Sequence, residues 1–128
     1  MKIEHVGLMV QNLENMRQFY EKYFEAKASE KYHNIKTGFQ SYFMTFSDGA
    51  RLEICTKTRV KPALKKRSVL TGYAHLALSV GSKEKVEALV KRCSADGFVI
   101  ASGPRVTGDG YYEAVIIDPE QNEIEITI

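Results

Sequence analysis

One unit occurs twice in this chain, and that repeat constrains its fold more than any other feature. Residues 2–10, KIEHVGLMV, alternate: Val6, Leu8 and Val10 share one face, and Ile3, His5, Gly7 and Met9 share the other. Alternation of this kind marks a half-buried strand. A helix follows, with Asn12 placed to cap it and Leu13, Met16, Tyr20, Tyr23 and Phe24 at helical spacing. Residues 40–46 and 50–56 then read as strands joined by the turn Ser47-Asp48-Gly49. The pattern restarts at GYAHLALSV, residues 72–80. Ser82 caps a second helix with apolar positions Val86, Leu89, Val90 and Cys93, and Gly97 suits its end. Strands are expected over 98–101, 110–117 and 122–128, with Gly103, Pro104, Gly108 and Gly110 marking a loop and DPEQ a turn. The chain thus reads as strand, helix and short strands, twice over. Module one covers 1–56, a linker 57–71 and module two 72–128.

The repeat gives four polar residues more weight than each has alone. His75 matches His5, and Glu125 in Ile124-Glu125-Ile126 matches Glu53 in Leu52-Glu53-Ile54. A single strand histidine is more often a hydrogen-bonded core residue or an exposed one, and a single strand glutamate usually faces solvent. In all four cases here the flanking aliphatic residues form the face that should pack on the helix, which sends the His or Glu to the opposite face. A carboxylate on a partly enclosed face is costly unless it is paired or bound to a cation. Two imidazoles with two carboxylates suit a borderline divalent metal such as Zn, Ni, Co, Mn or Fe, whereas Ca and Mg prefer oxygen-only shells.

The remaining features bound the function class. The 128 residues carry a net charge of +2, which gives no general affinity for nucleic acid or membrane. No stretch of about 18 apolar residues is present, so no membrane span is expected. Cys55 and Cys93 have no paired spacing, as in a chain kept in a reducing cytoplasm, and the N-terminus shows no signal-peptide pattern. Residues 57–71 hold Lys57, Arg59, Lys61, Lys65, Lys66 and Arg67 without an acid. This basic stretch reads as a solvated loop or as an anion-attracting lip over a pocket. Arg51 and Cys55 share the Glu53 face by alternation, and Arg51 suits an anionic substrate or a neighbouring acid. Phe39, Tyr42, Phe43, Tyr111 and Tyr112 read as core or rim aromatics, of which Phe39, Tyr111 and Tyr112 are candidate substrate contacts. Cys55 reads as a small buried hydrophobe, and His33 as an exposed loop residue.

The stretches IEHVGLMVQNLENMRQFYEKYF (3–24), GARLEI (49–54), GYAHLALSV (72–80) and GYYEAVIIDPEQNEIEI (110–126) resemble the vicinal oxygen chelate superfamily, in its glyoxalase I-like branch. The resemblance covers nearly the whole chain. It implies an α+β fold of two tandem βαβββ modules forming a cupped mixed sheet around one divalent metal. His5, Glu53, His75 and Glu125 would be the ligands. It further implies a lyase or isomerase of lactoylglutathione lyase type, whose substrate chelates the metal through adjacent oxygens. Glu125 or Glu53 would abstract a C–H proton while the metal stabilises an enediolate. Homodimers are common among such proteins. Other activities of the superfamily also fit the scaffold: dioxygenase, epimerase, a thiol transferase conferring antibiotic resistance, or a drug-binding module of the bleomycin-resistance kind. Dioxygenases with two His and one carboxylate leave three positions open, and four protein donors do not match that pattern. Glutathione-using members carry arginine where this chain has Met9, and asparagine where it has Lys57. Lys57 can meet a carboxylate and Met9 cannot, so the resemblance leaves the thiol open.

Overall fold

The computed structural model describes residues 1–63, 69 and 71–128. Lys65, Lys66 and Arg67 of the basic stretch lie outside the described residues; Lys57, Arg59 and Lys61 are exposed. The chain divides into two compact units, Met1–Pro62 and Ala63–Ile128. The fold class is α+β, with one mixed sheet and one helix in each unit.

The first unit runs β1 (His5–Met9), α1 (Leu13–Phe24), β2 (Lys27–Ala28), β3 (Tyr32–Asn34), β4 (Phe39–Thr45) and β5 (Arg51–Thr56). Its sheet is ordered β1-β5-β4-β2, with β3 also paired to β4. β1 lies parallel to β5 and the other pairs are antiparallel. The second unit runs β6 (His75–Ser79), α2 (Lys83–Ala95), β7 (Ile100–Val106), β8 (Tyr112–Ile117) and β9 (Glu123–Thr127). Its sheet is ordered β6-β9-β8-β7, again with the first strand parallel to the last. The register is the same in both. Val6 meets Leu52 and Leu8 meets Ile54 in one unit; Leu76 meets Ile124 and Leu78 meets Ile126 in the other.

Each helix forms where its cap and apolar stripe place it. The Asn12 side chain accepts from the Asn15 amide and the Ser82 side chain from the Lys85 amide, each satisfying a donor that the first turn leaves open. α1 buries Leu13, Met16, Phe19, Tyr20 and Tyr23. Phe19 is the buried member and Phe24, expected there, is half-buried. α2 buries Val86 and Cys93, with Leu89 and Val90 half-buried. Gly97 takes the left-handed conformation, φ 88°, that ends α2 without a Cβ clash. Beneath the helices, Leu52, Ile54 and Met44 are buried in one sheet, and Ala114, Ile116, Ile124 and Ile126 in the other.

Two expectations need correction. Gly103 and Pro104 lie inside β7, not in a loop before β8. β7 ends its sheet, and its register with β8 shifts between Ile100 and Ser102 and between Ser102 and Arg105. An end strand with irregular pairing tolerates a proline because no ladder hydrogen bond is lost there. His33 is exposed as expected, but it sits on β3 opposite Gln40. Strands as short as β2 and β3 leave no alternation to read.

Candidate metal centre

In the first unit, the register sets His5 beside Arg51, Gly7 beside Glu53 and Met9 beside Cys55. All six belong to the sheet face opposite α1. Gly7 leaves room next to Glu53: a Cβ built on it would meet nothing within 4 Å. Glu53 approaches His5 across this gap, with 3.8 Å between His5 Nε2 and Glu53 Oε2. Glu4 accepts from His5 Nδ1 and from the Arg51 guanidinium. These two bonds, that to His5 first, hold the Glu4 carboxyl below the usual carboxylate range. The guanidinium lies over the Phe43 ring, 4.1 Å from its centre, and the His5 ring meets Phe43 edge-on at 5.3 Å. Phe43 is itself the β4 neighbour of Glu53.

The second unit repeats the pair. Ala77, the second-smallest residue type, stands beside Glu125 where Gly7 stands beside Glu53. His75 Nε2 and Glu125 Oε2 are 3.6 Å apart. In both units the imidazole is more exposed than its glutamate: 41% against 19%, and 45% against 20%. The neighbours differ. β8 sets Val115 beside Glu125 and Glu113 beside Thr127, so Glu113 lies diagonal to Glu125 on the same face. Glu113 is buried, and Arg105 Nη2 donates to it at 3.0 Å. Burial raises the pKa of Glu125 first, followed by the negative charge of Glu113. His75 opposes the shift, and a hydrogen bond with Glu113 adds to it.

The sequence reading missed Glu4, Glu113 and Arg105. A signal existed for Glu113: the DPEQ turn sets Ile117 opposite Glu123, and counting back from that pair brings Glu113 to the Glu125 face. None existed for Glu4, because alternation sends neighbouring strand residues to opposite faces, and β1 begins only at His5.

The weaker candidates fall in several places. Phe39 begins β4, two residues before Ser41 on the Glu53 face, and its ring meets Tyr32. Lys57 is exposed just after β5, and Tyr111 is exposed just before β8. Tyr112 does not share the Glu125 face. Its hydroxyl donates to Glu87 of α2 at 2.7 Å, and Lys83 lies over its ring. Cys55 is buried, and burial, then the Glu53 charge, pushes its thiol pKa up, which disfavours a nucleophilic thiolate.

The donor sets fit a divalent ion. Two donors bound about 2.0–2.2 Å from one ion stand about 2.8–3.6 Å apart. The His75–Glu125 separation of 3.6 Å lies at the upper edge of that range and the His5–Glu53 separation of 3.8 Å lies just beyond it; both exceed hydrogen-bond length. Both faces carry more carboxylates than guanidiniums: Glu4 and Glu53 against Arg51, and Glu113, Glu123 and Glu125 against Arg105. Within neither unit, among the described residues, do three or more His, Cys, Asp or Glu side chains gather as a metal-holding group. Each unit brings together one imidazole and one carboxylate.

Comparison with known proteins agrees with this fold. Glyoxalase I from Zea mays superimposes with a TM-score of 0.80 at 19% identity, over 98% of this chain and 44% of that one. The chain thus spans less than half the length of the maize protein. A glyoxylase/bleomycin resistance protein/dioxygenase domain from Frankia sp. EAN1pec superimposes at 0.85 and 16% identity, over 100% and 97% of the two chains. The trypanothione-dependent glyoxalase I of Leishmania major gives 0.78 and 19%, over 99% and 86%. At such identities the likeness shows the fold. Among curated proteins none matches the sequence. The sequence pattern of the Glyoxalase/Bleomycin resistance protein/Dioxygenase superfamily matches residues 2–126.

Proposed function

The chain belongs to the Glyoxalase/Bleomycin resistance protein/Dioxygenase superfamily, and on that premise we propose that it is a metal-dependent lyase or isomerase of glyoxalase type. His5 with Glu53, and His75 with Glu125, are half-sets of ligands, and one half of each kind completes a four-donor site. The observation that carries this is the same His–Glu pair, at nearly the same separation and in the same register, in both units. The mixed nitrogen and oxygen donors suit Zn, Ni, Co, Mn or Fe. Such an ion, when bound, supplies Lewis-acid polarisation to a small substrate with two adjacent oxygens.

The chain's own residues divide the remaining work. Glu125 takes the C–H proton and returns it to the neighbouring carbon. Burial and then the Glu113 charge raise its pKa, which suits a general base. Glu113, held by Arg105, keeps a second carboxylate against Glu125. Arg51, Phe39, Lys57 and Tyr111 are the candidate substrate contacts. Homodimerisation accompanies this reading. β1 and β6 each end their sheet, and their aliphatic residues Val6, Leu8, Leu76 and Leu78 are only half-buried. A cytoplasmic location accompanies this reading, as suits a chain whose buried Cys55 and Cys93 form no disulfide.

The test is to load the metal-free protein with each of the five ions and assay hemithioacetals made from methylglyoxal and several thiols. Metal-dependent thioester formation with at least one thiol supports the reading. Tight metal binding without turnover of any of them favours another activity of the superfamily. No metal binding favours the binding-module alternative.

A further inference from the structure

The two His–Glu pairs are alike in separation but unlike in support. In the first unit, a carboxylate lies on the far side of the imidazole. Glu4 accepts from His5 Nδ1, while Nε2 of the same ring faces Glu53. Glu4 is fixed in turn, because Arg51 donates to its other oxygen. Arg51 rests on Phe43, whose ring also meets the edge of His5. The backbone closes the same corner: the Arg51 amide donates to the Glu4 carbonyl at 3.0 Å.

The second unit has none of this. Ala74 precedes His75 where Glu4 precedes His5. Glu123 stands opposite His75 where Arg51 stands opposite His5, and Val115 replaces Phe43 beside the glutamate. Among the described residues, His75 has its Glu125 neighbour at Nε2 and no hydrogen bond at Nδ1.

We propose that Glu4 is a positioning residue for His5. An ionised carboxylate only accepts, so a neutral His5 bonded to it must carry its proton on Nδ1. That leaves the Nε2 lone pair free and aimed at the position beside Glu53. Arg51 acts one step further out, holding Glu4. The half-site of the first unit is therefore set before any ion arrives, whereas His75 must select its tautomer and orientation on binding. A carboxylate behind a ligating imidazole fixes its tautomer and raises its basicity, and its removal costs about 10–100-fold in metal affinity. The use of this arrangement rests on the metal-binding reading above; the orientation of His5 does not.

The two are tested separately. The chain has three histidines, so each imidazole can be followed in long-range 1H–15N spectra of the metal-free protein. At about pH 8.5 an unperturbed imidazole is neutral. His5 is expected as one tautomer, protonated at Nδ1, and His75 as a mixture. Glu4→Ala should convert His5 to a mixture and leave His75 unchanged. Glu4→Gln should keep the Nδ1–H form, since its amide oxygen still accepts. Glu4 is more than half exposed, so neither change disturbs packing. Divalent-metal affinity, measured by competition with a chromophoric chelator, should fall about 10–100-fold in Glu4→Ala and less in Glu4→Gln. If the His5 tautomer is the same with and without Glu4, the proposal is overturned, whatever the protein binds. If Glu4→Ala shifts the tautomer but the unaltered protein takes up no metal, Glu4 still positions His5 and the metal reading fails instead.

Discussion

At the residue scale, a small residue stands beside the glutamate of each pair. Gly7 is the β1 neighbour of Glu53 and Ala77 the β6 neighbour of Glu125. Gly7 is not there for backbone reasons: it is absent from the glycines with positive φ, and a Cβ would meet no neighbour. Gly7→Val should therefore fold, yet fill the space that Glu53 uses. Circular dichroism should be unchanged while metal affinity drops; unchanged affinity would mean that the gap has no part in the site. Glu125→Gln should lower turnover about 10²–10⁴-fold, the usual weight of a general base, and by more than Glu53→Gln does. Steady-state kinetics on the metal-loaded variants decides the order.

Asp118 makes a separate case, because its role is structural. It is 2% exposed and accepts from the Glu120 and Asn122 amides and from the Asn122 side chain, all at 2.8 Å. Removing it leaves two turn amides without their partner, so Asp118→Ala should cost about 2 kcal/mol in urea unfolding. Burial raises its pKa above the ordinary 3.8, against the pull of those hydrogen bonds. The folded state therefore holds this proton more tightly than the unfolded chain. The group's titration-linked stability is full below about pH 3.8 and is lost as pH rises through the folded-state value. The stability of the unaltered protein relative to Asp118→Asn should accordingly fall across the acid range and level off above it.

At the element scale, the long alternating and periodic segments were legible and the short ones were not. β1, β6 and both helices follow from patterns of five residues or more, and both N-caps stand where the sequence places them. Asn12→Ala and Ser82→Ala should each cost about 1 kcal/mol in urea unfolding. β2 and β3 could not be read, since pairing with β4 and not their own sequence defines them. β7 was cut short by Pro104, whose cost vanishes only because the strand ends its sheet. The four ligand candidates were legible because the repeat supplied an internal comparison. Their supports, Glu4, Glu113 and Arg105, depend on register and on a strand's first residue, which alternation alone does not fix.

At the scale of the whole molecule, the repeat determines what a site can be. Each unit supplies one imidazole and one carboxylate, and a four-donor shell needs two such halves. Every chain carries one pair of each kind, so the proposed site would take one ion per chain whether the pairs come from one chain or two. The thiol and the substrate were not legible at this level, because they are set by the rim residues and not by the repeated pair. If the site completes across a homodimer, metal binding and association are linked. Sedimentation equilibrium should then show the dimer weakened in the metal-free protein and in His75→Ala.

In the proposed site His5, Glu53, His75 and Glu125 hold one divalent ion. The most direct measurement is elemental analysis of the protein equilibrated with Ni, Zn, Co, Mn or Fe and freed of excess ion, beside His5→Ala and His75→Ala. About one ion per chain is expected in the unaltered protein, with loss of tight binding in both variants, since each removes one of four donors. A protein that retains no ion, or variants that retain as much as the unaltered chain, would contradict it.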